Sequence, residues 1–418
     1  MAEKYDLIVV GGGASGMMAA GRAADRGLRV LLLEKNARLG EKLRISGGGR
    51  CNILNAEEDP RVLLKKYGKA EQFLYAPFAQ FGVIETRAFF ETRGLPLKIE
   101  AGKRAFPHTE KAEDVVRVLE AYMKKGGVVV QTRTPVSEVF VEGDMVTGVR
   151  SGTVTYHAKE YLFASGGVSH PETGSTGDGF EWLTKLGHTV AKPTPTIVPL
   201  KVRDHWIKVL AGTTLPDIKI TFFVNGTKAF VKKGNILCTH FGLSGPLILN
   251  CAHQVADLLH DGVVTGAIDL FPLVDHGTLE RQILNLFEGG KNKVLKNVVR
   301  DFVPLGTQKG VLTLLAERMD IETKVHSVSK EDRKQFVQLL KALPLSIEGL
   351  MGFNRAVVAD GGVPLGEIDM KTMRSQKIKN ILVTGDLLHI NRPSGGYSLQ
   401  LCWTTGYIAG SCCGSVLK

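Results

Sequence analysis

A G-x-G-x-x-G turn between an apolar segment and a helical pattern restricts the fold of this chain more than any other feature. From residue 5 the chain reads YDLIVVGGGASGMMAAGRAADRGLRVLLLEK, which predicts a buried strand over 7–10, a helix over 15–26 and a second strand over 29–33. A strand, a glycine turn, a helix and a parallel strand open a dinucleotide-binding α/β sheet. We therefore expect an α/β fold with a Rossmann-like sheet.

Each residue of the turn has a physical role. Gly11 permits the tight turn, Gly13 lets the backbone approach a pyrophosphate, and Gly16 lets the helix pack closely on the sheet. Glu34 follows Gly13 by 21 residues, where an acid accepts hydrogen bonds from ribose hydroxyls. Unpaired N–H groups at the start of the helix stabilise phosphate. The dinucleotide-binding candidates here are Gly11, Gly13, Ala14, Ser15, Gly16 and Glu34.

The segment after the second strand favours FAD over NAD. A simple NAD domain would continue with another crossover helix, but this chain continues KNARLGEKLRISGGGRCN. It resembles the large FAD-binding superfamily, in which this segment runs along the pyrophosphate and under the flavin ring. Glycines let the backbone lie against a flat ring. The FAD-binding candidates of this segment are Lys35, Lys42, Ser46, Gly47, Gly48, Gly49 and Asn52.

Two later segments extend this resemblance. Residues 129–150 alternate like a hairpin that turns at 142–144, and the resemblance implies backbone contacts to adenine near Val136. Residues 380–390, NILVTGDLLHI, predict a buried strand ending at Gly385 and Asp386, and GGYS at 395–398 starts a helix through Trp403. The resemblance implies that the acid binds the ribityl or pyrophosphate region and that the helix N-terminus points at the flavin pyrimidine edge. The candidates are Gly166, Gly385, Asp386, Gly395, Gly396, Tyr397 and Ser398.

Several phrases occurring together narrow the resemblance. They are SGGGRCN, RAFPHTEKAEDVV, GGVSHPETGSTGDGF, THFGLSGP, AVVADGGV and EIDMKTM. The chain resembles the bacterial family of NAD(P)/FAD-dependent oxidoreductases that includes bile-acid-intermediate reductases and the ribosomal-RNA dihydrouridine synthase, and that is also labelled aminoacetone oxidase. It departs from the family's G-E-x-L-D…G-G-Y-N pattern, with Asp386 for Glu, His389 for Asp, Ser398 for Asn and 391–393 in place of a glycine-containing loop. These changes bear on substrate specificity more than on the cofactor.

The predicted FAD domain is discontinuous, covering 1–190 and 351–418. The prolines of KPTPTIVPL mark its interruption. Residues 191–275 have a β-like pattern and predict an inserted β-barrel-like substrate domain, and 276–350 have a helical period and predict a small helical cap. No second G-x-G-x-x-G follows a strand. We therefore expect NAD(P)H to act as a transient donor without a Rossmann domain of its own.

The net charge of +11 indicates an acidic partner, which could be phosphate cofactors, an anionic small molecule or nucleic acid such as ribosomal RNA. The charge permits but does not require such a partner, and we favour the alternative of a solvated basic surface. Small clusters lie at Lys228, Lys232 and Lys233 and at Lys291, Lys293, Lys296 and Arg300.

No apolar run is long enough for a membrane helix and the first strand leaves no room for a leader, so we expect a cytoplasmic protein. The six cysteines show neither CxxC nor metal spacing, and we expect no metal.

Four residues are candidates for catalysis. Cys51 is the first candidate for proton donor, with Arg50 and the glycine-rich backbone lowering its pKa; the alternative is packing beside the flavin. Arg50 could anchor an anionic or carbonyl substrate or the flavin, or form a surface ion pair. His240 and Tyr397 are donor candidates, against an interdomain and a packing role. Arg104 and Lys111 are further candidates for binding phosphate or substrate carboxylate.

Three functions remain open from the sequence. The favoured one is a reductase that transfers hydride from flavin N5 to an activated C=C bond, in uridine of structured RNA or in a small enone, with NAD(P)H as electron donor. The second is an oxidase of a small amine or alcohol that produces hydrogen peroxide. The third is a flavin-containing RNA-binding protein. The C=C chemistry follows from the resemblance, and neither the substrate nor the oligomeric state follows from the residues.

Overall fold

The computed structural model describes residues 5–414 of the chain. The strands are β1 (Tyr5–Val10), β2 (Val30–Leu33), β3 (Leu54–Asn55), β4 (Leu97–Glu100), β5 (Arg104–Pro107), β6 (Val129–Gln131), β7 (Glu138–Glu142), β8 (Met145–Ser151), β9 (Val154–Tyr156), β10 (Ala158–Phe163), β11 (Ala191–Thr196), β12 (Leu200–Val202), β13 (Thr214–Val224), β14 (Thr227–Thr239), β15 (Gly242–Ser244), β16 (Val264–Asp269), β17 (Leu343–Leu350), β18 (Val358–Gly362) and β19 (Ile381–Val383).

The helices alternate with these strands in the first part of the chain and cluster in the second. They are α1 (Ala14–Asp25), α2 (Glu41–Ile45), α3 (Pro60–Leu64), α4 (Glu71–Gln80), α5 (Val83–Glu91), α6 (Ala112–Lys125), α7 (Asp178–Lys185), α8 (His205–Val209), α9 (Pro246–Asp261), α10 (His276–Gly289), α11 (Leu295–Phe302), α12 (Gln308–Ala316), α13 (Lys330–Lys341) and α14 (Tyr397–Cys412).

The described chain divides into two compact units. The first comprises residues up to 195 together with those from 357 onward, and the second comprises 196–356. The sequence analysis had placed these boundaries at 190 and 351. Among the described residues no helix is both long and apolar enough to cross a membrane.

A five-stranded parallel sheet, in the order β19-β10-β1-β2-β6, is the centre of the first unit. Its inner strands are almost continuously apolar because helices cover both faces of such a sheet. The predicted strand–turn–helix–strand unit is confirmed to within two residues at each boundary. This unit is a Rossmann-like domain of the α/β class, as expected.

Helices α1 and α14, which lie near opposite ends of the sequence, pack against each other through small residues. A Cβ on Gly406 would overlap the carbonyl oxygen of Ser15, and one on Gly410 would overlap that of Ala19. The two backbones therefore approach closely only because glycine occupies both positions. This contact places the middle of α14 beside the first turns of α1.

Smaller sheets flank the first unit. These are the antiparallel sheets β7-β8-β9 and β3-β5-β4 and the pair β11-β18. The predicted turn at 142–144 is confirmed, since Glu142 pairs with Met145 across it. The predicted start of that hairpin is wrong, because 129–131 pair with β2 in the parallel sheet.

The second unit is a closed six-stranded barrel, in the order β12-β15-β14-β13-β16-β17, with α10–α13 inserted between its last two strands. Barrel and helices share one apolar core, which includes Phe222, Ile283 and Phe336. The helical period from 276 onward predicted α10–α13 correctly. Two features differ from the prediction: 343–350 form the sixth barrel strand rather than part of a cap, and α9 interrupts the β-like segment.

A buried histidine in the first unit makes a testable prediction about acid stability. His188 is fully buried between the Glu367 carboxylate and the Ser375 hydroxyl, at 2.7 and 2.8 Å. Burial lowers the pKa of His188. Burial alone would raise the pKa of Glu367, but Lys377, His188 and Thr189 lower it to about 2.

Both shifts destabilise the fold in acid. The unfolded chain protonates His188 below its ordinary pKa, and the stabilisation from Glu367 is lost as pH falls from about 4.5 towards 2. We expect the free energy of unfolding to fall by about 1–2 kcal/mol between pH 7 and pH 3, discounted for partial exposure. Urea unfolding across this range should show a flatter profile for Glu367→Gln, whereas Glu331→Gln, at an exposed position, should follow the parent.

Candidate functional site

The turn after β1 has the geometry that a pyrophosphate requires. Gly11 has a φ of +109° and its Cβ would lie 2.5 Å from the Ala164 carbonyl oxygen, while a Cβ on Gly16 would overlap the carbonyl oxygen of Gly11. At Gly13, by contrast, a Cβ would meet no atom within 4 Å. Gly11 and Gly16 are thus required by the protein's own packing, whereas the space at Gly13 is open for a ligand at the start of α1.

Glu34 is held in position at the end of β2. It is buried, and its carboxylate accepts hydrogen bonds from the backbone N–H groups of Gly12 at 2.7 Å and Asn36 at 2.8 Å. Each oxygen keeps a second lone pair, which a ribose hydroxyl can use. The Thr134 N–H donates to the Glu34 carbonyl, so the segment leading to Val136 runs beside this acid. Lys35 is paired with Asp178 at 2.7 Å.

An ion cluster lies where Asp386 follows β19. One Asp386 oxygen lies 2.8 Å from the Lys42 ammonium, and the other contacts the buried guanidinium of Arg392. Burial alone would raise the pKa of Asp386, but these two cations hold it well below its usual range. Arg392 also donates to the Ile390 carbonyl at 2.6 Å and to the Ser398 hydroxyl at 3.2 Å. The cluster therefore connects Lys42 with the first turn of α14.

The SGGGRCN segment contacts the start of α14. Gly47, Gly48 and Gly49 all have positive φ, and a Cβ on either of the last two would meet no atom within 4 Å. In the amide orientation that satisfies its neighbours, Asn52 accepts a hydrogen bond from the Gly396 N–H. Asn55 donates to the Gly395 carbonyl at 3.1 Å. The structure thus brings together two glycine segments more than 300 residues apart, both predicted to contact FAD.

Ser46 and Gly166 complete the predicted cofactor residues. The Ser46 hydroxyl donates to the Leu43 carbonyl at 2.7 Å and fixes the start of the glycine segment. A Cβ on Gly166 would lie 3.8 Å from the Lys42 ammonium, next to the Asp386 cluster. On Gly385, a Cβ would lie 2.8 Å from the Ser15 hydroxyl, so this glycine is adjacent to the start of α1.

The expectation that the pKa of Cys51 is lowered is wrong. Its side chain is completely buried, at a backbone φ of +60°, and burial raises the pKa of the thiol to about 12. The glycine-rich backbone turns this side chain into the protein and away from solvent. A thiol that no ligand reaches in this conformation fits the alternative of a packing residue.

Arg50 forms the ion pairs that the sequence left as the alternative to ligand contact. Its guanidinium lies 2.5 Å from Glu100 and 2.9 Å from Glu110, and stacks 4.2 Å from the centre of the Phe106 ring. Its Nε is buried without a hydrogen-bond partner. Arg104 is within 3.9 Å of the same Glu100. Contact of Arg50 with a ligand remains a prediction.

Tyr397 and His240 occupy different environments. Tyr397 is the first residue of α14, its ring lies edge-on to Tyr67 at 5.8 Å, and burial raises the pKa of its phenol. His240 belongs to the second unit, where it is exposed in the turn between β14 and β15, with its ring edge-on to Phe241. Lys111 is exposed at the N-cap of α6. The catalytic roles of these residues remain predictions.

Three residues of this region were not among the predicted site residues. Arg392 was noted only as a departure from the family pattern, Tyr67 donates its hydroxyl to the Tyr397 carbonyl at 2.9 Å, and Ser165 has a buried hydroxyl without a partner. Ser165 is the second residue after β10, at the sheet edge where ligands bind in such folds. An orphaned hydroxyl there, with the open space at Gly13, fits a polar ligand such as FAD. A polar residue just past the end of a buried strand was the sequence signal that could have identified Ser165.

The model of the HI0933-like protein Rossmann domain family matches residues 5–412 of this chain. The 3-dehydro-bile acid delta(4,6)-reductase of Clostridium scindens is 28% identical over 407 residues, 96% of this chain and 97% of the relative. The ribosomal RNA dihydrouridine synthase of Escherichia coli is 28% identical over 97% of both chains. These similarities extend over both structural units.

Solved structures share the fold at low identity. The 3-ketosteroid-delta4-(5alpha)-dehydrogenase of Rhodococcus jostii aligns with a TM-score of 0.54 and 15% identity over 99% of this chain and 97% of that one. A flavocytochrome c3 fumarate reductase aligns with a TM-score of 0.54 and 15% identity, covering 98% of this chain and 78% of that one. At this identity the likeness concerns the fold.

Proposed function

Because this chain belongs to the HI0933-like protein Rossmann domain family and is an FAD-dependent oxidoreductase, we propose that it reduces an activated carbon–carbon double bond in uridine of structured RNA or in a small enone. The observation that carries the proposal is the nearly end-to-end match with two reductive relatives. One is named for removing ring double bonds, and the other for forming dihydrouridine, which is uridine with its ring double bond reduced. The two names share this reaction although their substrates differ.

Bound FAD would supply hydride from flavin N5, and the protein would supply position and a proton. The pyrophosphate would be held by the turn at Gly13 and the start of α1, and the adenosine ribose by Glu34. The site would have a net positive charge at the cluster of Lys42, Asp386 and Arg392. NAD(P)H is the proposed electron donor, as the resemblance to NAD(P)/FAD-dependent oxidoreductases implies.

We propose Tyr397 as the proton donor, because it is the first residue of α14 and follows Gly395 and Gly396, which are predicted to contact the flavin. A tyrosine phenol is protonated at neutral pH, and burial raises the pKa of Tyr397 further, so its hydroxyl has a proton that it can donate to a substrate carbon. Because its pKa is high, Cys51 likewise keeps its proton, but the full burial of that thiol separates it from any substrate.

We propose that the enzyme works in the cytoplasm, where NAD(P)H and ribosomal RNA are both available.

Anaerobic reoxidation of the reduced enzyme tests this function. The FAD-loaded protein is reduced with NADPH, and its flavin absorbance is followed after adding an unmodified ribosomal RNA transcript or a steroid enone in separate runs. We expect one of the two to restore the oxidised spectrum at least tenfold faster than buffer. Reoxidation by neither, with peroxide formed in air from an amine or alcohol, would contradict the reductase and favour an oxidase.

A further inference from the structure

Strand β14 of the second unit carries a group of lysines without nearby acids. Lys228, Lys232 and Lys233 lie in its first half, and the chain contains no Asp or Glu from residue 218 to residue 256. Lys228 and Lys233 are exposed and Lys232 is half-buried, with its ammonium 5.5 Å from the centre of the Phe230 ring. We call these three residues the basic strand.

The basic strand lies where the β13–β14 hairpin extends beyond the pairing of β14 with β15. Residues 227–236 of β14 pair with β13, while its pairing with β15 begins only at Leu237. The outer half of the β13–β14 hairpin therefore has one strand neighbour at this edge among the described residues. Backbone N–H and C=O groups face outward there beside the lysine side chains.

The charges of the basic strand are not neutralised within the described part of the protein. None of its three lysines lies within 4.0 Å of a carboxylate among residues 5–414. Neighbouring cations of the same unit differ: Lys219 on β13 pairs with buried Asp269 at 3.0 Å, and Lys296 pairs with Glu322 at 2.7 Å. The sequence cluster at 291–300 is thus partly compensated, whereas the cluster on β14 is free to bind an anion.

We propose that the basic strand binds the phosphate backbone of structured RNA, an inference that rests on the RNA branch of the proposed function. Lys228 and Lys233 pair with Phe223 and Lys219 on the outer face of the β13–β14 hairpin, whereas Lys232 pairs with buried Ile220, so the first two lysines present their charges to the same face. Ammonium groups bind phosphates as point charges and displace their counterions, which stabilises the complex without any base contact. Phe230 pairs with buried Phe222 and packs against its ring at 4.7 Å, so the binding proposed here rests on the charge of the lysines.

Lysines on an edge strand can also protect the protein from aggregation, and the test must separate this role from phosphate binding. A charged edge strand resists pairing with other chains, and glutamate can serve this purpose too. Reversing the charges of the basic strand therefore retains edge protection while removing phosphate binding. A matched control reverses Lys208, Lys309 and Lys334, which are exposed in the same unit and give the same change in net charge.

The test measures the dissociation constant of the FAD-loaded, full-length protein for an unmodified ribosomal RNA transcript at several KCl concentrations. We expect Lys228→Glu/Lys232→Glu/Lys233→Glu to weaken binding at least tenfold at a given salt concentration and to reduce the slope of log K against log salt by about two to three. The control triple variant should stay within about threefold of the parent. Flavin content and thermal melting check the fold, and a Lys→Gln triple variant replaces the glutamates if the melt is lowered.

Three results would overturn the inference: a parent that does not bind RNA, a basic-strand variant with the parent's affinity, or a control variant weakened as much as the basic-strand variant. Binding to vesicles of anionic phosphatidylglycerol in place of RNA would overturn it too. Reoxidation by a steroid enone, run on the same variants, separates this failure from that of the proposed function. If RNA binding depends on the basic strand but no substrate reoxidises the flavin, the proposed reductase function is contradicted, whereas the proposed RNA-binding surface is supported.

Discussion

Replacing Gly16 with alanine is expected to destabilise the protein by about 3 kcal/mol and to abolish FAD retention. The added methyl group would overlap the carbonyl oxygen of Gly11, which is backbone and cannot rotate away. Alanine's better helix propensity, about 1 kcal/mol, is smaller than this clash. Urea unfolding of the purified variant and its bound flavin absorbance would both report the loss.

Gly13→Ala is the matched control, because the same methyl group meets no atom within 4 Å there. Its stability should stay within about 1 kcal/mol of the parent, the difference expected between Gly and Ala at an N-cap. FAD affinity should nevertheless fall at least tenfold, since the methyl group occupies the space where the pyrophosphate approaches. A Gly13→Ala protein that retains FAD with parental affinity would contradict the assignment of this turn.

The parts of the fold that the sequence predicted are those determined by neighbouring residues. The β1–α1–β2 unit follows from an apolar period that changes around a glycine turn, and α10–α13 follow from their own helical periods. Helix α9 had a local signal that was missed, namely Pro246 in the first helical turn directly after a glycine. Strand β17 alternates buried Leu343, Leu345 and Ile347, but its barrel partners lie on the far side of four helices in sequence. The residues of β17 therefore do not reveal which strands it pairs with.

The same distinction applies to the candidate site. Gly11, Gly13 and Glu34 could be identified because their spacing within one βαβ unit is fixed by the turn and the helix. The direction of the Cys51 side chain could not, because it depends on a left-handed backbone conformation that sequence does not reveal for a non-glycine residue. The partners of Asp386 could not either: Lys42 is 344 residues away, and Arg392 differs from the family pattern.

This Asp386 cluster gives the second large effect. Asp386→Asn removes the negative charge but keeps the shape, and so leaves the guanidinium of Arg392, whose side chain is 1% exposed, without a counterion. Breaking a buried ion pair from one side costs about 3–5 kcal/mol. We expect urea unfolding of the FAD-free variant to show a loss of this order, and its melting temperature to fall by roughly 5–10 °C. Working with FAD-free protein keeps cofactor loss out of the measurement.

Two further variants show whether the cost comes from the unpaired charge. Lys42→Met should cost only about 1 kcal/mol, because Lys42 is partly exposed and Asp386 keeps Arg392. The double variant Asp386→Asn/Arg392→Leu should recover much of the loss, since it removes both charges together. A double variant no more stable than Asp386→Asn would mean that the cluster acts through hydrogen bonds to Ile390 and Ser398 rather than through charge. Recovery would instead establish that Asp386 holds Arg392 at the start of α14 by charge alone, independently of bound FAD.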